Sequence, residues 1–466
     1  MKKAYFAFDL GASSGRLMKG ITENGKIELE EVYRFANAPV KMGGYLYWDV
    51  PYLYREMKEG LKKAAIQCRE EGLEPACIGI DTWGVDYGYI GEDGSLIGLP
   101  FCYRDEKNQE AMETCPLAFE DAYAVAGLQQ MNFNTAYQLW YDVKARPEIL
   151  KAAKKMLFMP DLLAYFLTGE EGCEYTIAST SMLIDARTRD WSDELLDKIG
   201  FPKELLPKIS QPGTLLGTLT EDVQQETGLG PVKVAYVGSH DTASALAGIP
   251  FTGDHQAFLS SGTWSLIGVE IDDPIITEGS FEANYTNEGA VDGKIKFLKN
   301  ISGLWIVQQL KKEWKSDFGT MIADARKSMD CGLMIDPDDP SFTAPLSMEK
   351  AIRDYLEKTG QRQPENHGEI SAAVYLGLTN KYGKAVETLS RLTGEKIKAI
   401  HMVGGGIQDE LLCSLTKEKT GVDVITGPIE AAALGNILMQ EIACGDLGSL
   451  EEGRKQIGDS FAIKRY

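Results

Sequence analysis

Two aspartates and one small-residue turn carry the first chemistry legible in this sequence. Residues 5–16 read YFAFDLGASSGR: an apolar run, Asp9, then glycine, alanine and serines closed by Arg16. The stretch Gly11–Gly15 satisfies G-x-S-x-G, which would make Ser13 the nucleophile of a hydrolase. That motif needs an earlier strand to build an oxyanion hole and a helix directly after the serine. Here the turn follows the first strand of the chain and precedes a hairpin marked by Asn24-Gly25, so the hydrolase reading fails. An anion-binding turn fits better. Small residues at 11–15 let backbone N–H groups converge on a phosphate, the Ser13 and Ser14 hydroxyls donate to it, and Arg16 adds a charge-assisted contact. Asp9, at the strand end, is then placed to hold Mg²⁺ through water. Taken alone, the stretch also fits an ordinary Gly-rich turn with a solvated acid.

A second carboxylate, Asp241 in VGSHDTASALA, follows a strand and precedes a small-residue helix. It would project at the carboxyl edge of a sheet, where α/β proteins collect ligands. Phosphoryl transfer needs positioning, a metal and a carboxylate that takes the nucleophile's proton, and Asp241 suits the last role. As an isolated residue it reads better as a helix N-cap, and His240 as a packing or substrate-contact residue. Ser261-Gly262-Thr263 is a candidate second phosphate turn, with the Thr263 hydroxyl as donor. Gly404, Gly405 and Gly406, between a strand and a helix, suit close approach of adenine or ribose, or simply a tight turn. Neither G-x-x-x-x-G-K-[ST] nor G-x-G-x-x-G occurs, so a nucleotide would need a different cradle. Asp81 and Asp86 in DTWGVDYG could suggest a glycosidase pair, but an i, i+5 spacing on a strand puts them on opposite faces. Trp83 and Gly84 suit the wall of a polyol pocket.

The elements that must position these groups follow from periodicity. Residues 4–8 form a buried strand, and RLMKGITENGKIELEEVYRF forms a hairpin. DVPYLYREMKEGLKKAAIQCREEG is a helix with Asp49 as N-cap and Gly72 as terminator, and ACIGIDTWG is the next strand. Residues 105–230 are richer in helical patterns. From 231 the order strand, Ser-Gly-Thr turn, strand returns in PVKVAYVGSHD and HQAFLSSGTWSLIGVE, followed by KIKFLKN as a strand and residues 301–314 as a helix. KIKAIHMVGGGIQDELLCSLTKEKT gives a strand, three glycines and a helix. Each half therefore offers a strand-turn near its start and a later strand ending on glycine, which suggests a structural duplication or a chance likeness of two α/β halves. GIPFTGDH, with its Gly and Pro, suits the boundary between them.

At 466 residues the chain is long enough for two domains, and 44% hydrophobic with 25% charged residues is the balance of a soluble globular protein. A net charge of −21 argues against nucleic acid or an anionic membrane as partner. Eight scattered cysteines without C-x-x-C give neither a zinc site nor a disulfide framework, and point to a reducing, cytoplasmic location. Lys2 and Lys3 precede too short an apolar run for a signal peptide, and no run approaches a membrane span.

Taken together, DLGASSGR, IDTWGVDYG, FCYRDE, GSHDTASA, LSSGTWSLIG, LKNISGLWIVQ and VGGGIQDELLCSLTKEKTG resemble, in order, the rhamnulokinase branch of the FGGY carbohydrate kinases, within the actin-like ATPases. The resemblance runs from about residue 4 to 440. It implies a fold of two α/β domains of the ribonuclease H-like, actin-like type flanking a central cleft, divided as 1–248 and 249–466. The first would carry the sugar site, the first phosphate turn and the base; the second would carry the other phosphate turn and the adenosine site. It also implies ATP- and Mg²⁺-dependent transfer of the γ-phosphate to O1 of L-rhamnulose. In such enzymes Ala12, Ser13, Ser14, Gly15, Arg16 and Thr263 contact ATP phosphates, Gln308 lies on the ATP side, and Gly404–Gly406 receive the nucleoside. Gly84, His240, Thr242 and Asn300 are expected around the sugar, with Asp241 as the base. Ala12-Ser13-Ser14 replaces the Gly-Thr usual in the wider family, and Gln138 stands where a lysine is common; both favour rhamnulose over glycerol, xylulose or gluconate. A kinase for another ketose such as L-fuculose, or a silent nucleotide-gated sugar sensor, are the alternatives. A homo-oligomer is not indicated.

Overall fold

The computed structural model describes residues 2–251, 253–343 and 345–466. They form two compact units. One comprises Met1–Pro250, Glu270–Phe297 and Ala431–Phe461; the other comprises Phe251–Val269, Leu298–Glu430 and Ala462–Tyr466. The chain first passes between them at 250/251, close to the Gly/Pro stretch, but two later segments belong to the first unit.

The first unit is built on a six-stranded sheet of β1 (Lys2–Leu10), β2 (Ser14–Glu23), β3 (Lys26–Ala36), β4 (Leu73–Thr82), β5 (Thr214–Thr218) and β6 (Lys233–Tyr236), in the order β5-β6-β4-β1-β2-β3. β1 pairs antiparallel with β2 and parallel with β4, and β6 runs parallel to β4. The apolar run at 4–8 is buried on both faces, which is why it does not alternate. Ala4, Phe6 and Phe8 share a cluster with Leu53, Met57, Leu61 and Ala64 of the helix Val50–Glu71, whereas Tyr5 and Ala7 pack with Ala433 and Ile437 of the helix Ala431–Cys444. This second packing ties 431–461 to the first unit. Asn24 and Gly25, both at positive φ, make the two-residue turn between β2 and β3. Asp49 accepts from the Tyr52 N–H at 3.0 Å and Gly72 ends that helix at φ 67°.

The second unit carries β7 (Gln256–Ser261), most of β8 (Trp264–Ile271), β9 (Ile295–Ser302) from Leu298 onward, β10 (Ala399–Val403), β11 (Asp423–Thr426) and β12 (Lys464–Arg465), in the order β9-β8-β7-β10-β11-β12. β7 pairs antiparallel with β8 and parallel with β10, and β10 runs parallel to β11. The order β3-β2-β1-β4-β6 in one unit is thus matched by β9-β8-β7-β10-β11 in the other, the duplication that the two strand-turn patterns suggested. The helix expected from 301 begins at Trp305 instead. At Gly303 the chain crosses so close over 262–265 that a Cβ would lie 2.5 Å from the Trp264 carbonyl carbon, and Ile301 and Ser302 stay in β9.

Candidate active site

Strand register assembles the acidic residues. Asp9 stands opposite Arg16 on β2 and opposite Asp81 on β4, and Thr82 bridges to His240 at the head of the helix Asp241–Ala247. The ends of two parallel strands and the start of one helix therefore bring Asp9, Arg16, Asp81, His240 and Asp241 into one neighbourhood of the first unit. Arg16 Nη2 donates to Asp9 Oδ2 at 2.5 Å. Asp81 is fully buried; its Oδ2 accepts from Asn436 Nδ2 at 2.6 Å, and its Oδ1 has no hydrogen-bond partner. Burial, and then the Asp9 charge, push the Asp81 carboxyl well above the usual range, with Asp241 adding to the effect. Burial also raises Asp241; His240 opposes this and Asp9 adds to it.

Asp241 is the first residue of its helix, not the cap. The capping position is His240, which makes no side-chain capping bond, and the Asp241 carboxylate accepts a local bond from Thr242 Oγ1 at 3.0 Å. With 37% of its side chain exposed, it keeps lone pairs for a ligand. The His240 ring lies 3.5 Å from Asp241 Oδ1 through Nε2, and 3.1 Å from the buried Lys296 Nζ through Nδ1. Lys296 in turn donates to Glu288. Burial works against the Glu288 carboxylate, but Lys296 and His240 together hold it down at about 2.

The turn beside Asp9 closes through Gly11 N–H to the Ser14 carbonyl at 2.9 Å and is braced by Asn37, whose Nδ2 donates to the Gly11 carbonyl at 2.8 Å. Ser13 is exposed and Gly11, Ala12 and Ser14 are partly so, leaving this turn open to a ligand. Gly15 is buried; a Cβ there would lie 2.3 Å from the Phe35 ring, so packing requires this glycine. Gly84 lies two residues beyond Thr82, where a Cβ would meet Thr180 Cγ2 at 3.1 Å. Trp83 is buried against Trp48 with ring centroids 4.1 Å apart, and its Nε1 donates to Asp86 Oδ2 at 3.0 Å. Asp86 also accepts from Trp48 Nε1, the Tyr103 N–H and Gln138 Nε2. It is a structural anchor, raised by burial to about 6, and is no partner for Asp81.

In the second unit the parallel pairing of Ser260 with Val403 sets 261–263 beside 404–406. Gly404, at φ 83°, would place a Cβ 2.8 Å from the Ser261 carbonyl oxygen, and Gly406 one 2.1 Å from Ser261 Oγ. Gly405 alone has nothing within 4 Å of that position. Two of the three glycines are thus required by the neighbouring strand, and the third opens to a ligand. Thr263 Oγ1 donates to Gln308 Oε1 at 3.4 Å, and Asn300 lies half-buried on β9. Asp81, Glu288 and Lys296 are the members of the first-unit cluster that sequence reasoning did not assign. The signal was available for the last two: an Asp292-Gly293 turn flanked by an acid and a lysine on its two arms.

The orphaned Asp81 oxygen and the mutual repulsion of Asp9, Asp81 and Asp241 fit a divalent cation. Among the described residues no group of three or more His, Cys, Asp or Glu has the arrangement of a metal site. A cation here would take one or two of these carboxylates and complete its shell with water or ligand oxygens.

The N-terminal domain model of the FGGY family of carbohydrate kinases matches residues 4–248, and the C-terminal domain model matches 257–444. A rhamnulokinase of Bacteroides thetaiotaomicron is 41% identical over 100% of this chain and 96% of its own length. One from Halalkalibacterium halodurans is 39% identical over 99% and 98%. Among solved structures, a ligand-bound xylulose kinase from Lactobacillus acidophilus superposes with a TM-score of 0.82 at 18% identity, covering 100% of this chain and 93% of that one. A Plasmodium falciparum glycerol kinase with ADP gives 0.79 at 14%, covering 99% and 94%.

Proposed function

This chain belongs to the FGGY family of carbohydrate kinases, and from that premise we infer that it performs the rhamnulokinase reaction, ATP and L-rhamnulose giving L-rhamnulose 1-phosphate and ADP in L-rhamnose catabolism. The observation that carries the substrate is the full-length identity of 39–41% to relatives named rhamnulokinases, against 14–18% to the xylulose and glycerol kinases that share the fold.

Asp241 accepts the proton of the sugar O1 hydroxyl as the O–P bond forms; the bond from the γ-phosphorus to the β,γ-bridging oxygen breaks, and ADP leaves with that electron pair. Its raised carboxyl sits nearer the pH at which it must take and release a proton. The turn Ala12–Arg16 binds phosphate through backbone N–H groups and serine hydroxyls. Asp9 would hold Mg²⁺ with Asp81 behind it, and the ion would neutralise charge on the β- and γ-phosphates. Gly84, His240, Thr242 and Asn300 face the sugar. Thr263 and Gln308 serve the phosphates and Gly404–Gly406 the nucleoside, so the base and first phosphate turn fall in 1–248, and the second phosphate turn and nucleoside site, with Asn300 of the sugar site, in 249–466. Eight free thiols support a reducing, cytoplasmic setting. Among the described residues no helix is long and apolar enough to cross a membrane.

The test is a panel of L-rhamnulose, L-fuculose, D-xylulose and glycerol with MgATP, with ³¹P NMR of the product. L-rhamnulose should give the highest kcat/KM and a C1 phosphate. A higher value for L-fuculose would reassign the substrate, and ADP release with none of them would make the chain a nucleotide-gated sugar sensor.

A further inference from the structure

Lys296 and Glu288 have no part in the scheme above, yet they form a buried ion pair against His240, the residue next to the proposed base. Lys296 is 0% exposed and Glu288 7%. Both come from one hairpin: Glu288 from the strand Thr286–Gly289 and Lys296 from the start of β9, joined by a turn in which the Ala290 N–H bonds to the Lys294 carbonyl at 3.0 Å. An ammonium has three donors and no acceptor. Lying 3.1 Å from His240 Nδ1, Lys296 can only donate to it, and a proton on Nδ1 would point at a like charge. Glu288 Oε2 lies farther from the same nitrogen, at 3.4 Å, and already accepts from Lys296. The ring proton is thereby left on Nε2, the nitrogen that faces Asp241 Oδ1 at 3.5 Å.

The backbone locks the ring's position from another side. The His240 N–H donates to Thr176 Oγ1 at 3.1 Å, and that hydroxyl donates to the buried Glu174 Oε2 at 2.6 Å. The charged and titratable groups around His240 are thus Asp241 on its own helix, Glu288 and Lys296 on the hairpin, and Glu174 behind Thr176.

We propose that Lys296, neutralised by Glu288, is a positioning residue that fixes His240 as its Nε2–H tautomer and so aims one N–H donor at the Asp241 carboxylate and the sugar hydroxyl it deprotonates. This rests on Asp241 as the base. Without the ammonium, Glu288 becomes an acceptor for an Nδ1–H, the ring flips tautomer, and Nε2 turns a lone pair toward the Asp241 carboxylate.

The test uses the full chain labelled with ¹⁵N-histidine; its four histidines are assigned by a His240→Gln control. Long-range ¹H–¹⁵N spectra should show the Nε2–H form of His240 in the wild type and a shift toward Nδ1–H in Lys296→Met. Lys296→Arg, which keeps a cationic donor, should restore the wild-type pattern. Because Lys296→Met strands a buried carboxylate, the double variant Lys296→Met/Glu288→Gln serves if the single one does not fold. A side-chain amide in place of that carboxylate can donate or accept, so the double variant should show mixed tautomers. In steady state, kcat should fall about tenfold to 100-fold in the folded variant, less than the roughly 10²–10⁴ lost with the base itself, with little change in the KM for ATP. An Nδ1–H wild type, or an unchanged Nε2–H form once Lys296 is gone, overturns the proposal. The spectra are read without sugar, so a wild type inactive on L-rhamnulose would count against the proposed reaction and leave the tautomer assignment standing.

Discussion

Replacing Asp241 by asparagine separates a catalytic carboxylate from a structural one, because the two roles predict opposite changes in stability. The carboxylate makes one side-chain bond, to Thr242 Oγ1, which an amide oxygen can keep. It shares its surroundings with Asp9 and Asp81, and both Asp81 and Asp241 are raised by burial and by neighbouring negative charge. Removing one charge of the three relieves repulsion. Because 37% of the side chain meets solvent, screening holds that relief to about 1 kcal/mol. For a unit of about 300 residues, at ~2.1 cal/mol/K per residue, that is about 1–2 °C in the apparent melting temperature. Turnover should move the other way: loss of a general base costs roughly 10²–10⁴ in kcat, about 3–5 kcal/mol of transition-state stabilisation. The assay pairs steady-state ADP release at saturating sugar with calorimetry of the same preparation, and equilibrium nucleotide binding should be largely unchanged. A variant that melts several degrees lower and keeps kcat within about threefold of wild type would make Asp241 a structural acid and refute the reasoning.

Other perturbations read the rest of the site. Arg16→Ala removes the partner of Asp9 and should raise the KM for ATP about tenfold while moving that for sugar less; the reverse pattern, in the same initial-rate experiments, would put Arg16 at the sugar. Gly406→Ala would force a methyl to 2.1 Å from Ser261 Oγ and should cost about 1–3 kcal/mol in denaturant unfolding. Gly405→Ala, with open space around it, should leave stability within about 0.5 kcal/mol but weaken nucleotide binding. Acid should expose the Glu288 pair. With its carboxyl held near 2 against an ordinary value of 4.5, Glu288 contributes stability that is fully present above pH 4.5 and is lost as pH falls toward 2, about 3 kcal/mol in all. Unfolding free energies measured across that window should fall more steeply for the wild type than for Lys296→Met/Glu288→Gln, and equal slopes would contradict the pairing.

Local signals in the chain were strong where a single physical rule governs them. Asn24-Gly25 fixes a two-residue hairpin by backbone conformation alone, Asp49 and Gly72 delimit a helix, and the unbroken apolar run at 4–8 reports a strand covered on both faces. Asp9 and Asp241 stood out because each follows a strand. Their proximity depends on register, which places Asp9 beside Asp81 and Thr82 beside His240, and register between segments roughly 70 and 160 residues apart leaves no local trace. Lys296 was hidden by a stricter version of the same problem. In KIKFLKN the alternation assigns Lys296 to a solvent face, but that face is covered and the ammonium is buried with Glu288. Gly404 and Gly406 illustrate the converse, since their need for hydrogen in place of a side chain comes from Ser261, far away in sequence.

The most direct measurement is ADP formation by the purified chain at fixed MgATP, with and without L-rhamnulose. A carboxylate base waiting for an acceptor hydroxyl predicts a slow background and a rise of at least about 100-fold when the ketose is added. ADP release at the same rate in both conditions would mean that the acids around Asp9 and Asp241 do not serve transfer to this sugar.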